Sequence, residues 1–418
     1  MLSHSELNPQ QQEAVNYGLS SVGVGETELS DETHHPLLII AGAGTGKTNT
    51  LAHKTAQLIL HGVAPERILL VTFARRASSE LSSRANRIIE RTLREKQKAY
   101  HPITLPWMGT FHSIASRLLR EHASLIGLDP DFTVMDRNDS ADMLDLLRHE
   151  LGFSGVNRRF PKKKTCLDIY SRCVNAQAPL IDILDTHFPY CSEWEEELNT
   201  LFAHYAKTKI EQVSLDYDDL LLYCFHMAQV DAIAQKVREQ FDNVLVDEYQ
   251  DTNQVQANIL YRLSRPHKNL MVVGDDAQSI YSWRGADFGN MLEFPERYQA
   301  VTYNMEENYR STPEILEAAN QSINYNTRQF KKNLYSSLVE GEKPLVHHVW
   351  AAQDEAELVL ENILSFRDQE ISLNEMSVLY RNHVQSAALQ VVLTHAGIPF
   401  VVHSGVKFFE QAHIKDVT

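Results

Sequence analysis

The segment that most constrains this chain is Ala41-Gly42-Ala43-Gly44-Thr45-Gly46-Lys47-Thr48, set between an apolar run and a helical pattern. The run before it, Leu37-Leu38-Ile39-Ile40-Ala41, is short and apolar throughout, as a strand buried on both faces should be. Glycines after such a strand let backbone N–H groups converge on phosphate oxygens. A helix starting there adds the positive end of its dipole. Lys47 is placed to reach the β and γ phosphates of a nucleotide, and the Thr48 hydroxyl to hold Mg²⁺. Ala41 stands where the strict pattern has Gly. A chance glycine turn would not also have the strand and the helix in the right order.

Three further runs read as strands: Ile68–Phe73, Asn243–Val246 and Leu270–Val273. Each ends in a polar or glycine residue and is followed by helical spacing, the pattern of a parallel sheet with crossover helices. In such sheets the chemistry gathers at the carboxyl ends of the strands. Asp247-Glu248 falls at one of those ends. An isolated Asp-Glu pair is usually a solvated one. Behind a phosphate loop it predicts a Mg²⁺ ligand, Asp247, and a base, Glu248, that orients and deprotonates the attacking water.

Between about Ser113 and Gln240 apolar residues recur at helical spacing, as in Met143, Leu144, Leu147 and Leu151, and strand-like runs are scarce. The expected organisation is a first α/β core over 1–112 and 241–304, a mostly helical insertion over 113–240, and part of a second core over 305–418. In the last part Leu345–Trp350, Met376–Tyr380 and Phe400–His403 read as strands and Gln385–His395 as a helix. The Gly/Ser/Glu-rich stretch Ser20–His35 reads as an acidic loop. A basic cluster, Arg158, Arg159, Lys162, Lys163 and Lys164, reads first as a solvated loop and second as a contact to phosphates.

Composition bears on partners. The net charge is −16, which weighs against nucleic acid until one notes that net charge does not locate a surface. There is no run of 18 apolar residues and no apolar signal core, so neither a membrane span nor secretion is expected. Cys166, Cys173, Cys191 and Cys224 form no CxxC pair, which argues against zinc and fits a reducing cytoplasm.

The remaining motifs narrow the class. Asp247-Glu248-Tyr249-Gln250-Asp251-Thr252-Asn253 resembles the extended acidic motif of UvrD/Rep-like superfamily 1 DNA helicases, which usually have Phe at the Tyr249 position. Val273-Gly274-Asp275-Asp276-Ala277-Gln278-Ser279-Ile280-Tyr281-Ser282-Trp283-Arg284-Gly285-Ala286 resembles their third motif. Leu7-Asn8-Pro9-Gln10-Gln11 resembles their adenine-reading motif, and Val71-Thr72-Phe73 and Gly109-Thr110-Phe111-His112 their two DNA-contact motifs. Asn308-Tyr309-Arg310-Ser311 resembles the fourth motif, and Val406–Glu410 with Ile414–Asp416 the segment leading into an outer domain.

The resemblance implies a RecA-like P-loop NTPase fold, ATP and Mg²⁺ as cofactors, and single-stranded DNA and single/double-strand junctions as substrate. It implies 3′ to 5′ movement coupled to ATP hydrolysis and duplex unwinding. It assigns Gln11 to adenine, Tyr309 to stacking on the base, Arg310 to the γ phosphate as an arginine finger, and Gln278 to γ-phosphate sensing. For DNA it points to Phe73, Thr110, His112, Tyr281, Trp283 and Arg284. Aromatic platforms suit a motor that must grip any base. Phe408 and Phe409 are read as core.

Three departures matter. Asn49 stands where the family often has Arg, and Arg91–Pro106 is longer than usual. The fifth and sixth motifs, with a Glu-bearing segment and a second cleft Arg, are not found before Thr418. A short relative or a piece of a longer protein is therefore expected. Two alternatives stand beside a motor: a nucleotide-gated DNA-binding or regulatory module that does not unwind, and a helicase subunit of a nuclease or defence complex.

Overall fold

The four apolar runs become four strands of one six-stranded, wholly parallel sheet. The computed structural model describes residues 7–19, 35–95, 97, 99, 101–155, 160–264 and 269–403. The sheet strands are β1 (Leu37–Ala41), β2 (Ile68–Thr72), β3 (Met108–Thr110), β6 (Asn243–Val246), β7 (Leu270–Gly274) and β8 (Val301–Met305). They lie in the order β3-β2-β6-β7-β1-β8. Leu37 pairs with both Met271 and Val301, and Leu70 with both Leu245 and Met108, so the strand ends are in step. β3 and β8 were not read as strands. β3 has three residues, and the polar alternation of Val301-Thr302-Tyr303-Asn304-Met305 marks an edge.

Both faces are covered, which is why the inner strands are apolar except at the terminal residues Thr72 and Asn243. Leu38, Ile40, Leu69, Val71, Val244, Val246 and Val272 face one apolar cluster. Helices α4 (Phe111–His122), α9 (Tyr217–Gln229), α10 (Asp231–Gln240) and α11 (Gln254–Ser264) supply its other side. Leu37, Ile39, Ile68, Leu70, Leu245 and Val273 face a second cluster, closed by α1 (Pro9–Asn16), α2 (Lys47–Leu60) and α3 (Arg75–Glu95). The result is the mixed α/β, RecA-like core with a parallel sheet that the sequence implies.

Between β3 and β6 the chain is helical except for two two-residue strands, β4 (Thr133–Val134) and β5 (Ser214–Leu215), which pair with each other. Helices α5 (Arg137–Glu150), α6 (Lys163–Ala176), α7 (Leu180–His187) and α8 (Glu195–Glu211) bury a core of their own around Leu144, Ile169, Leu184, Leu198 and Tyr205. The insertion also buries a cation. Lys209 Nζ lies 2.6 Å from both Asp216 Oδ2 and Asp219 Oδ2, and the Tyr205 hydroxyl donates to Asp216 at 2.8 Å. Burial alone would lower the Lys209 pKa. The two carboxylates override it and hold the ammonium above its usual value.

Of the basic cluster, Arg158 and Arg159 lie outside the described residues. Lys163 pairs with Asp142 across the insertion, so that side chain has a structural partner.

The chain divides into two compact units, 1–342 and 343–418. In the second, α12 (Ala352–Asp368) packs on α13 (Ser386–His395) through Ile363 and Leu393. The helix read at Gln385–His395 is there. The strands read at 345–350, 376–380 and 400–403 are not: among the described residues these segments form no ladder. Their composition suits a pleated surface, but a strand exists only by pairing, and Trp350 and Leu379 are 100% and 93% exposed. The segments Val406–Glu410 and Ile414–Asp416, with Phe408 and Phe409, lie outside the described residues, as does Ser20–His34 of the acidic loop.

Removing Lys209 leaves two buried carboxylates facing each other. Lys209→Met should cost about 3–5 kcal/mol, read from urea melts by circular dichroism. Lys163→Ala, at the surface, should leave the midpoint nearly unchanged. Equal midpoints for the two variants would show that the buried cluster is not what holds the insertion.

Candidate nucleotide site and groove

The glycine loop leaves β1 and enters α2 through two left-handed residues, Gly44 (φ +75°) and Gly46 (φ +89°). Both are also crowded. A Cβ on Gly44 would sit 2.5 Å from Asn308 Nδ2 and 2.8 Å from the Arg310 Cβ, and one on Gly46 would sit 2.8 Å from Gln11 Nε2. The sequence accounts for these glycines by backbone N–H groups converging on phosphate oxygens. The structure adds that neighbouring segments fill the space a side chain would need.

Those segments carry the residues assigned to the nucleotide. Asn8 and Gln11 form a reciprocal cap on α1 (2.7 and 3.1 Å), and the buried Gln11 side chain donates to Thr45 O at 2.8 Å. Asn308 Nδ2 donates to Ala43 O at 2.5 Å, and Tyr309 N donates to Gly44 O at 3.0 Å. Asn8 Nδ2 reaches the Tyr309 hydroxyl at 2.8 Å. Gln11, Tyr309 and Arg310 thus stand around the loop Ala41–Thr48, with Arg310 exposed beside Gly44.

On the other side of the loop, Lys47 is buried and donates to Ala41 O at 3.3 Å. Asp247 ends β6 with its carboxylate hydrogen-bonded by the Thr48 hydroxyl. Burial and then the neighbouring Glu248 raise Asp247 to about 7, against the pull of Lys47 and the Thr48 bond. A carboxylate held so reluctantly ionised beside a hydroxyl is a hard oxygen pair suited to Mg²⁺, which usually takes only one or two protein ligands and fills its shell with phosphate and water. Glu248 adopts φ +50°, a left-handed conformation that is strained for a residue with a side chain.

Two residues of this site were legible only as motif letters. Gln250 donates to Glu248 Oε2 at 2.8 Å and accepts from Asp275 N at 2.9 Å, joining the general-base candidate to the end of β7. Gln278 Nε2 donates to Asp275 Oδ2 at 2.6 Å, and the buried Lys332 lies 2.6 Å from Asp275 Oδ1 and 2.5 Å from Asp276 Oδ1. Lys332 gave no signal in the sequence, being one of two adjacent lysines in a polar stretch.

The residues assigned to DNA gather elsewhere. A cleft of about 710 Å³ is lined by Phe73, Thr110, His112, Tyr281, Trp283 and Arg284, all six of those expected. Phe73 and Tyr281 stack at 4.9 Å, while Trp283 is 60% exposed with the Arg284 guanidinium 4.5 Å over its ring. Thr110 caps α4 by accepting from Ser113 N at 3.4 Å. The insertion supplies the facing wall with Arg137, Arg172, Phe188 and Tyr217, which sequence reasoning missed. Tyr217 stands edge-on to His112 at 5.7 Å. An aromatic directly after a helix-capping Asp was the one available clue.

Fold and site together define a P-loop nucleotide-binding core with an insertion-walled groove beside it. Comparison with known proteins gives the family. Residues 26–299 match the UvrD/REP helicase N-terminal domain and residues 303–418 the UvrD-like helicase C-terminal domain. The chain is 32% identical over 407 residues to the ATP-dependent DNA helicase PcrA of Staphylococcus aureus (strain Mu50 / ATCC 700699), covering 96% of this chain and 53% of the relative. It is 33% identical over 407 residues to the PcrA of Staphylococcus epidermidis (strain ATCC 12228 / FDA PCI 1200), covering 96% and 54%. The chain belongs to the UvrD-like helicase family, and it spans about half the length of these relatives.

Burial lowers the His112 pKa to about 4, so this histidine is neutral at pH 7 and faces the cleft as a flat, uncharged ring. The unfolded chain takes up its proton near 6.5, so stability is full above that value and declines as the pH falls toward 4. His112→Asn should flatten the fall in Tm between pH 7.5 and 5. An unchanged slope would mean that the imidazole is already charged in the folded chain.

Proposed function

We propose that this chain is the ATP-hydrolysing, DNA-gripping part of a DNA helicase that moves 3′ to 5′ along single-stranded DNA and opens duplex at junctions. The observation that carries the reading is the gathering of Lys47, Thr48, Asp247, Tyr309 and Arg310 about one glycine loop, with an aromatic cleft on the same sheet.

Each residue has a task the chemistry needs. The Ala41–Gly46 backbone and Lys47 bind the phosphates. Thr48 and Asp247 would hold Mg²⁺, which when bound neutralises charge between the β and γ oxygens. Glu248, with its carboxylate oriented by Gln250, accepts a proton from the attacking water. Arg310 reaches the γ phosphate and stabilises charge at transfer, and Gln278 senses that phosphate. Gln11 and Tyr309 read and stack the adenine. In the cleft, Phe73, Tyr281 and Trp283 offer faces to bases of any sequence, and Thr110, His112 and Arg284 contribute polar contacts. Four free cysteines accord with a cytoplasmic setting.

Single-stranded DNA should raise the rate of ATP hydrolysis by the chain. Lys47→Ala should abolish turnover, a loss of about 10³-fold or more in kcat, because the lysine neutralises charge at the transferring phosphoryl group. The check is phosphate release with and without oligo-deoxythymidine. Undiminished turnover in the Lys47→Ala variant would remove the assignment.

A further inference from the structure

The acidic segment and the groove wall meet at one buried amide that the proposed function has not used. Asn175 stands near the end of α6 in the insertion and is 7% exposed. Its Oδ1 accepts from Asn253 Nδ2 at 2.6 Å, and its Nδ2 donates to Asp218 Oδ1 at 2.7 Å and to Ser171 O at 2.8 Å. Asn253 is 6% exposed and ends the acidic segment that begins at Asp247 and Glu248. Asp218 lies in the first turn of α9 and lines the cleft.

This amide can point only one way. Reversing it would set its oxygen against the Asp218 carboxylate and its NH₂ against the Asn253 NH₂. Asn253 is fixed in turn, since it caps α11 through reciprocal bonds with Gln256 at 2.9 and 3.0 Å. A displacement of the acidic loop therefore cannot be absorbed by a side-chain flip at either residue. It must move α6 or break buried hydrogen bonds.

The same helix holds the other wall of the cleft. Arg172, one turn before Asn175, donates from Nη2 to Trp283 O at 3.2 Å. A Cβ on Gly285 (φ +88°) would meet the Asn175 Cβ at 3.4 Å, so α6 lies directly on the turn that presents Trp283 and Arg284. One helix face is bonded both to the end of the segment carrying the general-base candidate and to the segment carrying the exposed aromatic.

We infer that Asn175 is a positioning residue that passes the state of the acidic loop to helix α6 and so sets the grip of the cleft on DNA. The inference rests on the proposed ATP and DNA sites and names how one acts on the other. Asn175 itself lines the cleft, and its side-chain bonds run to Asn253, Asp218 and Ser171 rather than to any residue of the glycine loop. Its effect is a coupling between two affinities, and such couplings commonly amount to about 5- to 150-fold.

The test uses the full chain and a fluorescein-labelled oligo-deoxythymidine of about 16 nucleotides. The Kd is measured with ADP and with a non-hydrolysable ATP analogue. In the unaltered chain the two values should differ by about 5-fold or more. In Asn175→Ala the ratio should fall below about 2-fold at temperatures equally far below each Tm. Asn253→Asp keeps the α11 cap but replaces the donor to Asn175 by an acceptor, and it carries the test should the alanine variant fold poorly. It should lose the same ratio, and the double variant should lose no more than either single one. A ratio in either folded variant equal to that of the unaltered chain would overturn the inference while leaving the proposed function intact. Absence of any nucleotide-dependent difference in the unaltered chain, together with no stimulation of hydrolysis by DNA, would overturn both.

Discussion

Gly44 has no side chain because Asn308 and Arg310 occupy the space where one would stand. That crowding ties together segments more than 260 residues apart. The Asn308 amide and the Tyr309 N–H bond to carbonyls of the glycine loop, so the loop is flanked by the segment that carries an exposed aromatic ring, Tyr309, and a cation, Arg310. Closing a loop of that length is entropically costly. The parallel sheet meets the cost, because β8 lies in register beside β1 and delivers residues 306–310 to the carboxyl end of the strand that feeds the glycines.

The same logic places the acids. β6 and β7 lie between β2 and β1, so Asp247, Glu248, Asp275 and Gln278 emerge on the same rim as Lys47. Once there they restrain one another. Gln250 bridges Glu248 to Asp275, and Lys332 offsets the charge of Asp275 and Asp276. A rim with this many carboxylates would repel phosphate unless cations answered it. Lys47, Lys332 and Arg310 do so, and the rise of Asp247 and Asp251 to about 7 shows how strongly burial and Glu248 disfavour further negative charge.

The inner strands and the glycine loop were legible because their chemistry is local. A strand buried on both faces must be apolar along its length, and a phosphate loop must have glycines where φ is positive. The edge strand β8 escaped because one covered face leaves room for Thr302 and Asn304. The apolar segments of the second unit misled for the opposite reason: strand composition is local but pairing is not, and Leu379 and Trp350 stand exposed. Lys332 and Asn175 were invisible because their importance lies in what faces them. No periodicity marks a lysine that will lie between two aspartates, or an asparagine that will meet another amide 78 residues later.

The negative total charge also finds its explanation in placement. Acidic side chains are spread over helices such as α8, whose first turn is Glu195-Glu196-Glu197, while the cleft sets Arg137, Arg172 and Arg284 beside Asp168, Asp218 and Asp251 among aromatic rings. Two of those arginines are already engaged: Arg137 pairs with Asp168, and Arg172 bonds to His187 and to Trp283 O. Arg284 lies over Trp283. Such a cleft offers rings and oriented guanidinium planes more than bare charge. The base stacking proposed for it is compatible with a chain of net charge −16, because stacking does not depend on the sign of the protein as a whole.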